Sequence, residues 1–237
     1  MKDWRRQHGA VMVSFIRFLY SQTDNFVFKG GTALYLCYHL DRFSEDIDLD
    51  GRERTLVDLV TGFCGKNGYA FRIAKDTDTV QRCMIYYGSE RKPLKIEASY
   101  RRRDISAEET SRLNGILVYN IEALCVMKIS AYAGRDRIRD LYDLTFICNN
   151  YFDQLSPQTK SLMRNAVEHK GIEQFDYIVR EQSDELIDTV KLAEDFLGMY
   201  DLLGLLYDEH ERDLITVAAA DVESKLEDDE DDWEDEM

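Results

Sequence analysis

Two adjacent glycines precede a cluster of carboxylates in the segment FKGGTALYLCYHLDRFSEDIDLDG, residues 28–51. The apolar residues before the glycines predict a short buried strand, which the Gly-Gly pair ends before a helix that runs to about residue 39. Acidic and apolar residues alternate in DIDLD, and this period of two is typical of a half-buried strand. The order strand, Gly-Gly turn, helix and strand therefore predicts a mixed α and β structure here.

The apolar pattern changes character near residue 118. Before it, three strand-like segments follow one another: YAFRIAK, RCMIYYG and LKIEASY. After it, apolar residues recur at helical spacing from Ile121 onward. We therefore predict an α+β chain with a small mixed sheet in its N-terminal half and an all-helical C-terminal half. The predicted division is an α/β domain at 1–118, a helical domain at 119–220 and an acidic tail at 221–237.

Negative charge is concentrated at the C-terminal end. The formal net charge is −16, but eleven of the 46 acidic residues lie in the tail, residues 221–237. A segment so highly charged cannot bury a core, so we expect it to be disordered. The remainder is only mildly acidic and has arginine clusters at 101–103 and 135–139, which are compatible with a nucleic-acid partner.

Cysteine usage and hydropathy indicate the cellular compartment. The five cysteines are odd in number and widely spaced, and none forms a Cys-x-x-Cys motif, as is typical of free thiols in a reducing cytoplasm. No apolar run approaches the roughly 20 residues of a membrane span. The charged N-terminal segment fits an amphipathic helix better than a signal peptide. We expect a cytoplasmic protein without a membrane partner.

Three acidic residues suggest a metal site. Asp46 and Asp48 are two residues apart on a predicted strand, so their side chains lie on the same face and repel each other. A divalent cation such as Mg²⁺ would balance them, because hard cations prefer oxygen ligands. Glu97 lies on a later predicted strand and would complete a three-acid site if the two strands pair.

The glycines suggest a phosphate site beside these acids. Gly30 and Gly31 allow backbone N–H groups to approach a phosphate closely, and a helix starting near Thr32 favours an anion at its N-terminus. Each part also has a simpler interpretation: an ordinary turn, a solvated strand face, and a surface Glu97 paired with Lys95. The combination of all parts in this order predicts a site for a metal–triphosphate complex.

This combination resembles the nucleotidyltransferase superfamily with the polymerase-β-type fold. The words KGGTAL and RFSEDIDLD resemble the AbiEii-type nucleotidyltransferase toxins of type IV-like toxin–antitoxin systems, which include the MenT toxins. Downstream, KISA at 128–131 and RIRDLYDL at 137–144 stand where these toxins have Lys-x-x-Ala and Arg-x-Lys-Asp-x-x-Asp-Leu. Arg139 stands where lysine is usual, which keeps the charge but changes the contact geometry.

The resemblance implies an enzyme that transfers a nucleoside monophosphate from an NTP to RNA, with the tRNA 3′ end as the expected acceptor, and so blocks translation. It implies Mg²⁺ as the cofactor, or Mn²⁺ in its place, and a cognate antitoxin as a partner. The expected metal ligands are Asp46, Asp48 and Glu97. The expected phosphate-binding residues are Gly30, Gly31, Thr32 and Lys128. The expected catalytic residues are the three acids, Lys128 and Asp140.

Other interpretations of the same residues stay open at this point. Taken alone, Lys128 fits a surface lysine and Asp140 an acid on a helix face. The fold also suits a nucleotidyltransferase that acts on a small molecule or a protein, or a non-catalytic homologue that only binds nucleotide.

Overall fold

Seven strands form one mixed sheet within the residues described by the computed structural model, 3–88 and 92–206. The strands are β1 (Phe26–Lys29), β2 (Ile47–Gly51), β3 (Ala70–Thr77), β4 (Val80–Tyr86), β5 (Leu94–Ser99), β6 (Thr110–Leu113) and β7 (Ile116–Tyr119). Their order across the sheet is β3-β4-β5-β2-β1-β7-β6. The pairs β2–β5 and β1–β7 are parallel and the others are antiparallel. Because β3 and β6 are the edge strands, β1, β2 and β5 lie in the interior of the sheet.

The described helices accompany and then follow this sheet. They are α1 (Asp3–Gln22), α2 (Gly30–Cys37), α3 (Leu56–Asn67), α4 (Ile121–Gly134), α5 (Ile138–Tyr151), α6 (Pro157–Glu181) and α7 (Thr189–Leu202). The predicted fold class, a mixed sheet followed by helices, is confirmed, although the sheet is larger than predicted. Within the described chain, no helix combines the length and apolar character needed to cross a membrane.

Contacts within the chain define two compact units, Met1–Leu124 and Cys125–Met237. In the first, the apolar stripe of α1 is buried, as its 3–4 residue spacing predicts. Phe15 of this stripe meets Phe63 of α3 edge to face, with ring centroids 5.2 Å apart. On β2, Ile47 and Leu49 are fully buried, whereas Asp48 between them is only partly buried. The side chain of Asp48 therefore lies on the sheet face opposite to Ile47 and Leu49.

In the second unit, α6 and α7 contribute a stacked aromatic pair, Phe175 and Phe196, with ring centroids 4.2 Å apart. Helix α6 is interrupted at Gly171, whose φ of 68° and ψ of 177° are not helical, so two helical segments meet at this residue. Helix α7 starts after Asp188, whose carboxylate accepts the backbone N–H of the third helical residue and so caps the helix.

The hairpin of β6 and β7 was not predicted, and it turns at Asn114 and Gly115, both with positive φ. The acidic tail at 221–237 lies outside the described residues. The predicted domain boundary after residue 118 stays a prediction, since packing within one chain does not test whether each part folds alone.

Candidate active site

The sheet brings the three acidic residues of the predicted metal site to neighbouring positions on one face. In the parallel pairing of β2 with β5, Asp48 lies directly opposite Glu97. Asp46 immediately precedes β2, and the period of the strand places it on the same side as Asp48. The two strands thus pair as the metal-site prediction requires.

Gly30 lies against the carboxylate of Asp48. Its φ is +78°, and a Cβ at this position would lie 2.9 Å from Asp48 Oδ2. A side chain here would be strained by the backbone and would collide with the acid, so the position requires glycine. Gly30 and Gly31 form the start of α2, where the first N–H groups of a helix have no partner within the helix and can receive an anion.

The loop that leads into β2 is held at two carbonyl groups. The buried Thr32 hydroxyl donates to the carbonyl of Asp46 and lies 2.7 Å from the hydroxyl of Ser44. The buried His8 ring bonds the carbonyl of Glu45 through Nε2 at 2.7 Å. Because a carbonyl only accepts, Nε2 carries the proton, and Nδ1 of a neutral ring accepts from the Tyr87 hydroxyl. The main chain at Asp46 is therefore fixed from two sides.

Two of the three carboxylates are paired with basic side chains. Lys95 forms an ion pair with Asp46, and Arg82 Nε lies 2.5 Å from Glu97 Oε2. Lys95 and Glu97 do not pair with each other as the simpler sequence interpretation suggested; each has a partner on a neighbouring strand or loop. All four side chains keep between 26% and 40% of their surface exposed.

One of these pairs, Arg82–Glu97, belongs to a row of charged residues that crosses five strands. Each member is the register partner of the next, on strands about 4.8 Å apart. The row runs Lys29, Asp48, Glu97, Arg82 and Lys75. Two acids in the middle of the sheet are therefore flanked by bases on both sides.

The acidic site offers three carboxylates as possible metal ligands, those of Asp46, Asp48 and Glu97. Burial raises the pKa of Asp48; nearby Lys95 opposes this shift, while Asp46 and Glu97 add to it, and the pKa stays above its usual value. Carboxylate oxygens are the ligands that Mg²⁺ prefers. Across residues 3–88 and 92–206, however, no group of three acidic, histidine or cysteine side chains is already arranged to hold a metal. The donor types fit Mg²⁺, and two of the three carboxylates, those of Asp46 and Glu97, are paired with bases in this structure.

Lys29, directly before the glycines, takes part in a separate and more buried network. Its Nζ lies 2.6 Å from Oδ1 of Asp50, which is 5% exposed. The Tyr119 hydroxyl donates to the other oxygen of Asp50 at 3.0 Å. Burial, and then the charge of Asp50, raise the pKa of Tyr119. Lys29 is thereby anchored at the N-terminus of α2.

The other two predicted site residues meet in the helical unit. Lys128 of α4 lies 3.2 Å from Asp140 and 2.5 Å from Asp143, both on α5. The contact with Asp143 Oδ2 is an ion pair without the alignment of a hydrogen bond. The side chain of Asp143 is fully buried, and that of Lys128 is 12% exposed. Lys128 is therefore a largely buried, paired lysine and not a free surface lysine.

Arg135 completes this second cluster, because its Nε donates to Asp140 at 2.6 Å. Burial alone would raise the pKa of Asp140, but the Arg135 hydrogen bond and the Lys128 charge outweigh it and hold the pKa below its usual value. Of the 101–103 arginine cluster, Arg102 is bound to both carboxylate oxygens of Glu109 at 2.5 Å. The arginine clusters are thus partly committed to contacts within the protein.

Sequence reasoning missed two residues of the acidic site, Arg82 and Lys29. Lys29 adjoins the Gly-Gly pair, and a cation next to a phosphate-binding turn could have suggested it. Arg82 gave no local signal, because its place beside Glu97 depends on the register between distant strands.

Comparison with known proteins agrees with this geometry. The profile of the family described as "Nucleotidyl transferase AbiEii toxin, Type IV TA system" matches residues 17–236. The crystal structure of JHP933 from Helicobacter pylori is 28% identical, with a TM-score of 0.63 over 99% of this chain and 98% of that one. A second H. pylori structure, provisionally described as a nucleotidyltransferase, is 27% identical, with a TM-score of 0.62 over 96% of this chain and 98% of that one. No curated protein matches this chain significantly.

Proposed function

This chain belongs to the AbiEii family of nucleotidyl transferase toxins of type IV toxin–antitoxin systems, and we propose that it transfers a nucleoside monophosphate from an NTP to an RNA acceptor. The expected acceptor is the 3′ end of tRNA, whose extension would block aminoacylation and hence translation. One observation carries the proposal: Asp48 and Glu97 are in register on one sheet face, beside Gly30 at the start of α2.

The acidic residues and the glycine turn are proposed to bind different parts of the metal–triphosphate complex. Asp46 and Asp48 are proposed to hold Mg²⁺, or Mn²⁺ in its place, and Glu97 is a candidate ligand for a second ion. When bound, such ions neutralise the triphosphate and stabilise the charge that develops on it. The backbone N–H groups of residues 30–32 are proposed to hold the β- and γ-phosphates.

The proposed reaction is an in-line displacement at the α-phosphorus of the NTP. The acceptor hydroxyl attacks the α-phosphorus, the bond from this phosphorus to the bridging oxygen breaks, and pyrophosphate leaves. Glu97 or Asp140 is proposed to accept the proton of the attacking hydroxyl. Lys128 is proposed, from the family resemblance, to neutralise the departing pyrophosphate. Positioning and charge neutralisation supply most of the rate in such a reaction.

The test is label transfer from each α-³²P NTP to bulk tRNA, to other RNA and to lysate protein, with and without Mg²⁺. We expect label in RNA only with the metal present. Asp46→Asn should abolish transfer, whereas Asp195→Asn, which changes an acid on α7, should keep it. Label in protein or a small molecule instead would redirect the acceptor assignment, and full transfer by Asp46→Asn would refute the metal-ligand assignment.

Two further parts of the proposal follow from membership of a toxin family. We propose that a cognate antitoxin restrains the enzyme, and that both act in the cytoplasm, where NTPs and tRNA are found. Co-purification of the tagged chain with the product of an adjacent gene tests the antitoxin, and recovery of the chain alone would count against it.

A further inference from the structure

We propose that Lys95 and Arg82 bind phosphate oxygens of the triphosphate in the transfer site. Without metal, Lys95 is paired with Asp46 and Arg82 with Glu97. When these carboxylates bind a metal ion, the two basic side chains are released to bind phosphate. This inference rests on the proposed function, because it concerns the same site. It assigns to both basic side chains a second set of partners, the phosphate oxygens of the triphosphate.

The register of the strands places each base beside one of the acids. Lys95 is two residues before Glu97 on β5, so it lies on the same face and next to Asp46 in the β2–β5 pairing. Arg82 is the direct register partner of Glu97 across β4 and β5. Each base therefore occupies the position from which it reaches both its acid and anything bound to that acid.

The exposure of these pairs makes an exchange of partners inexpensive. Lys95 and Asp46 keep 30% and 40% of their side-chain surface exposed, and Arg82 and Glu97 keep 40% and 26%. Ion pairs as exposed as these contribute about 0–1 kcal/mol each. A divalent ion with several carboxylate ligands outcompetes such a pair, and the displaced ammonium and guanidinium then lack a counter-ion. Phosphate oxygens are the natural replacement, and the guanidinium fork suits them in particular.

Lys29 provides the contrast within the same charged row. Its partner Asp50 is buried, with 7% of its side chain exposed, and is also held by Tyr119. Because Asp50 is not one of the proposed metal ligands, a metal would not release Lys29. The exchange is therefore specific to the two bases whose partners are proposed to bind metal.

The test uses inorganic pyrophosphate and metal-free protein in EDTA, so that no transfer activity is needed. Asp46→Asn removes the partner of Lys95 and mimics its release, and we expect pyrophosphate affinity to rise about three- to fivefold, the equivalent of one exposed ion pair. In the Lys95→Met background the same Asp46→Asn change should raise affinity less, because only the direct repulsion between the Asp46 carboxylate and pyrophosphate is then removed. The Glu97→Gln and Arg82→Met variants form the equivalent cycle. Titration calorimetry of the four proteins in each cycle measures the coupling.

A matched control separates this effect from a general change of net charge. The Lys191–Asp195 pair on α7 has a similar distance, 2.5 Å, and similar exposure, 40% and 22%. Asp195→Asn should leave pyrophosphate affinity unchanged with or without Lys191→Met. If Asp46→Asn tightens binding equally in the Lys95→Met background, or tightens it in neither, the proposal is overturned. A different outcome separates the two proposals. If the wild-type chain shows no Mg²⁺-dependent label transfer but the coupling in the mutant cycle is found as expected, the proposed function is refuted and the phosphate-binding assignment stands.

Discussion

Replacing Gly30 with alanine should damage both stability and transfer, for two separable reasons. At a φ of +78°, an L-residue costs about 1–2 kcal/mol relative to glycine. The new Cβ would also lie 2.9 Å from Oδ2 and 3.3 Å from Cβ of Asp48, closer than side-chain atoms tolerate. Overpacking of this kind costs a further 1–3 kcal/mol or so, so the expected loss is about 2–5 kcal/mol in total.

The collision also predicts a catalytic effect. To relieve it, Asp48 must move away from α2 and therefore away from the position that it shares with Glu97. A displacement of about 1 Å in a reacting geometry costs about a hundredfold in rate. We expect Gly30→Ala to reduce label transfer to tRNA by about this factor.

Gly68→Ala is the matched control. Gly68 ends α3 with a φ of +66°, but nothing lies within 4 Å of the Cβ that alanine would add. It should lose only the backbone strain, about 1–2 kcal/mol, and keep full transfer activity. Urea unfolding and label transfer on both variants decide the matter. Equal losses of stability, with equal rates of transfer, would refute the argument that Gly30 makes room for Asp48.

Three further predictions concern buried polar contacts. Lys128→Met should lower the unfolding free energy in urea by about 3–5 kcal/mol, because the fully buried carboxylate of Asp143 loses its ion pair with the Lys128 ammonium. The double variant with Asp143→Asn should recover part of this loss. A wild-type denaturation midpoint for Lys128→Met would contradict the ion pair. Thr32→Val should cost about 1–3 kcal/mol through the lost bond to the Asp46 carbonyl, whereas Thr32→Ser should cost less, and equal losses would argue against the hydroxyl. Because the folded pKa of Asp140 is lowered, its contacts stabilise the protein above the unfolded pKa of about 3.9, and this stability is lost as the pH falls through the folded value. Asp140→Asn should therefore flatten the acid decline of the unfolding free energy, and an unchanged slope would be evidence against the shift.

Local signals explain why the elements around the glycines could be predicted. A strand, a Gly-Gly turn and a strand of alternating acids are each specified by residues within a few positions of one another. The hairpin of β6 and β7 also had a local signal, the dipeptide Asn114-Gly115, whose positive φ angles suit a two-residue turn. It was missed because its strands are only four residues long and lie where the pattern turns helical.

Contacts that depend on pairing between distant strands could not be predicted in the same way. Glu97 was expected to join the two aspartates only if its strand paired with theirs, and no residue of either strand specifies that pairing alone. Arg82 is 15 residues from Glu97 in sequence, and its role follows only from the β4–β5 register. A shift by one residue would turn it to the other face of the sheet.

The order in which the charged row is completed has a consequence for synthesis of the chain. The row draws on strands from residue 26 to residue 99, and β5 follows β2 by more than 40 residues. A nascent chain, elongating at roughly 5–20 residues per second, therefore presents Asp48 for some seconds before Glu97 and Lys95 have been made. During that interval the two aspartates lack the acid and the base that β5 later places beside them, Glu97 and Lys95. The full charge pattern of the site is therefore present only after β5 has paired with β2 at the centre of the sheet.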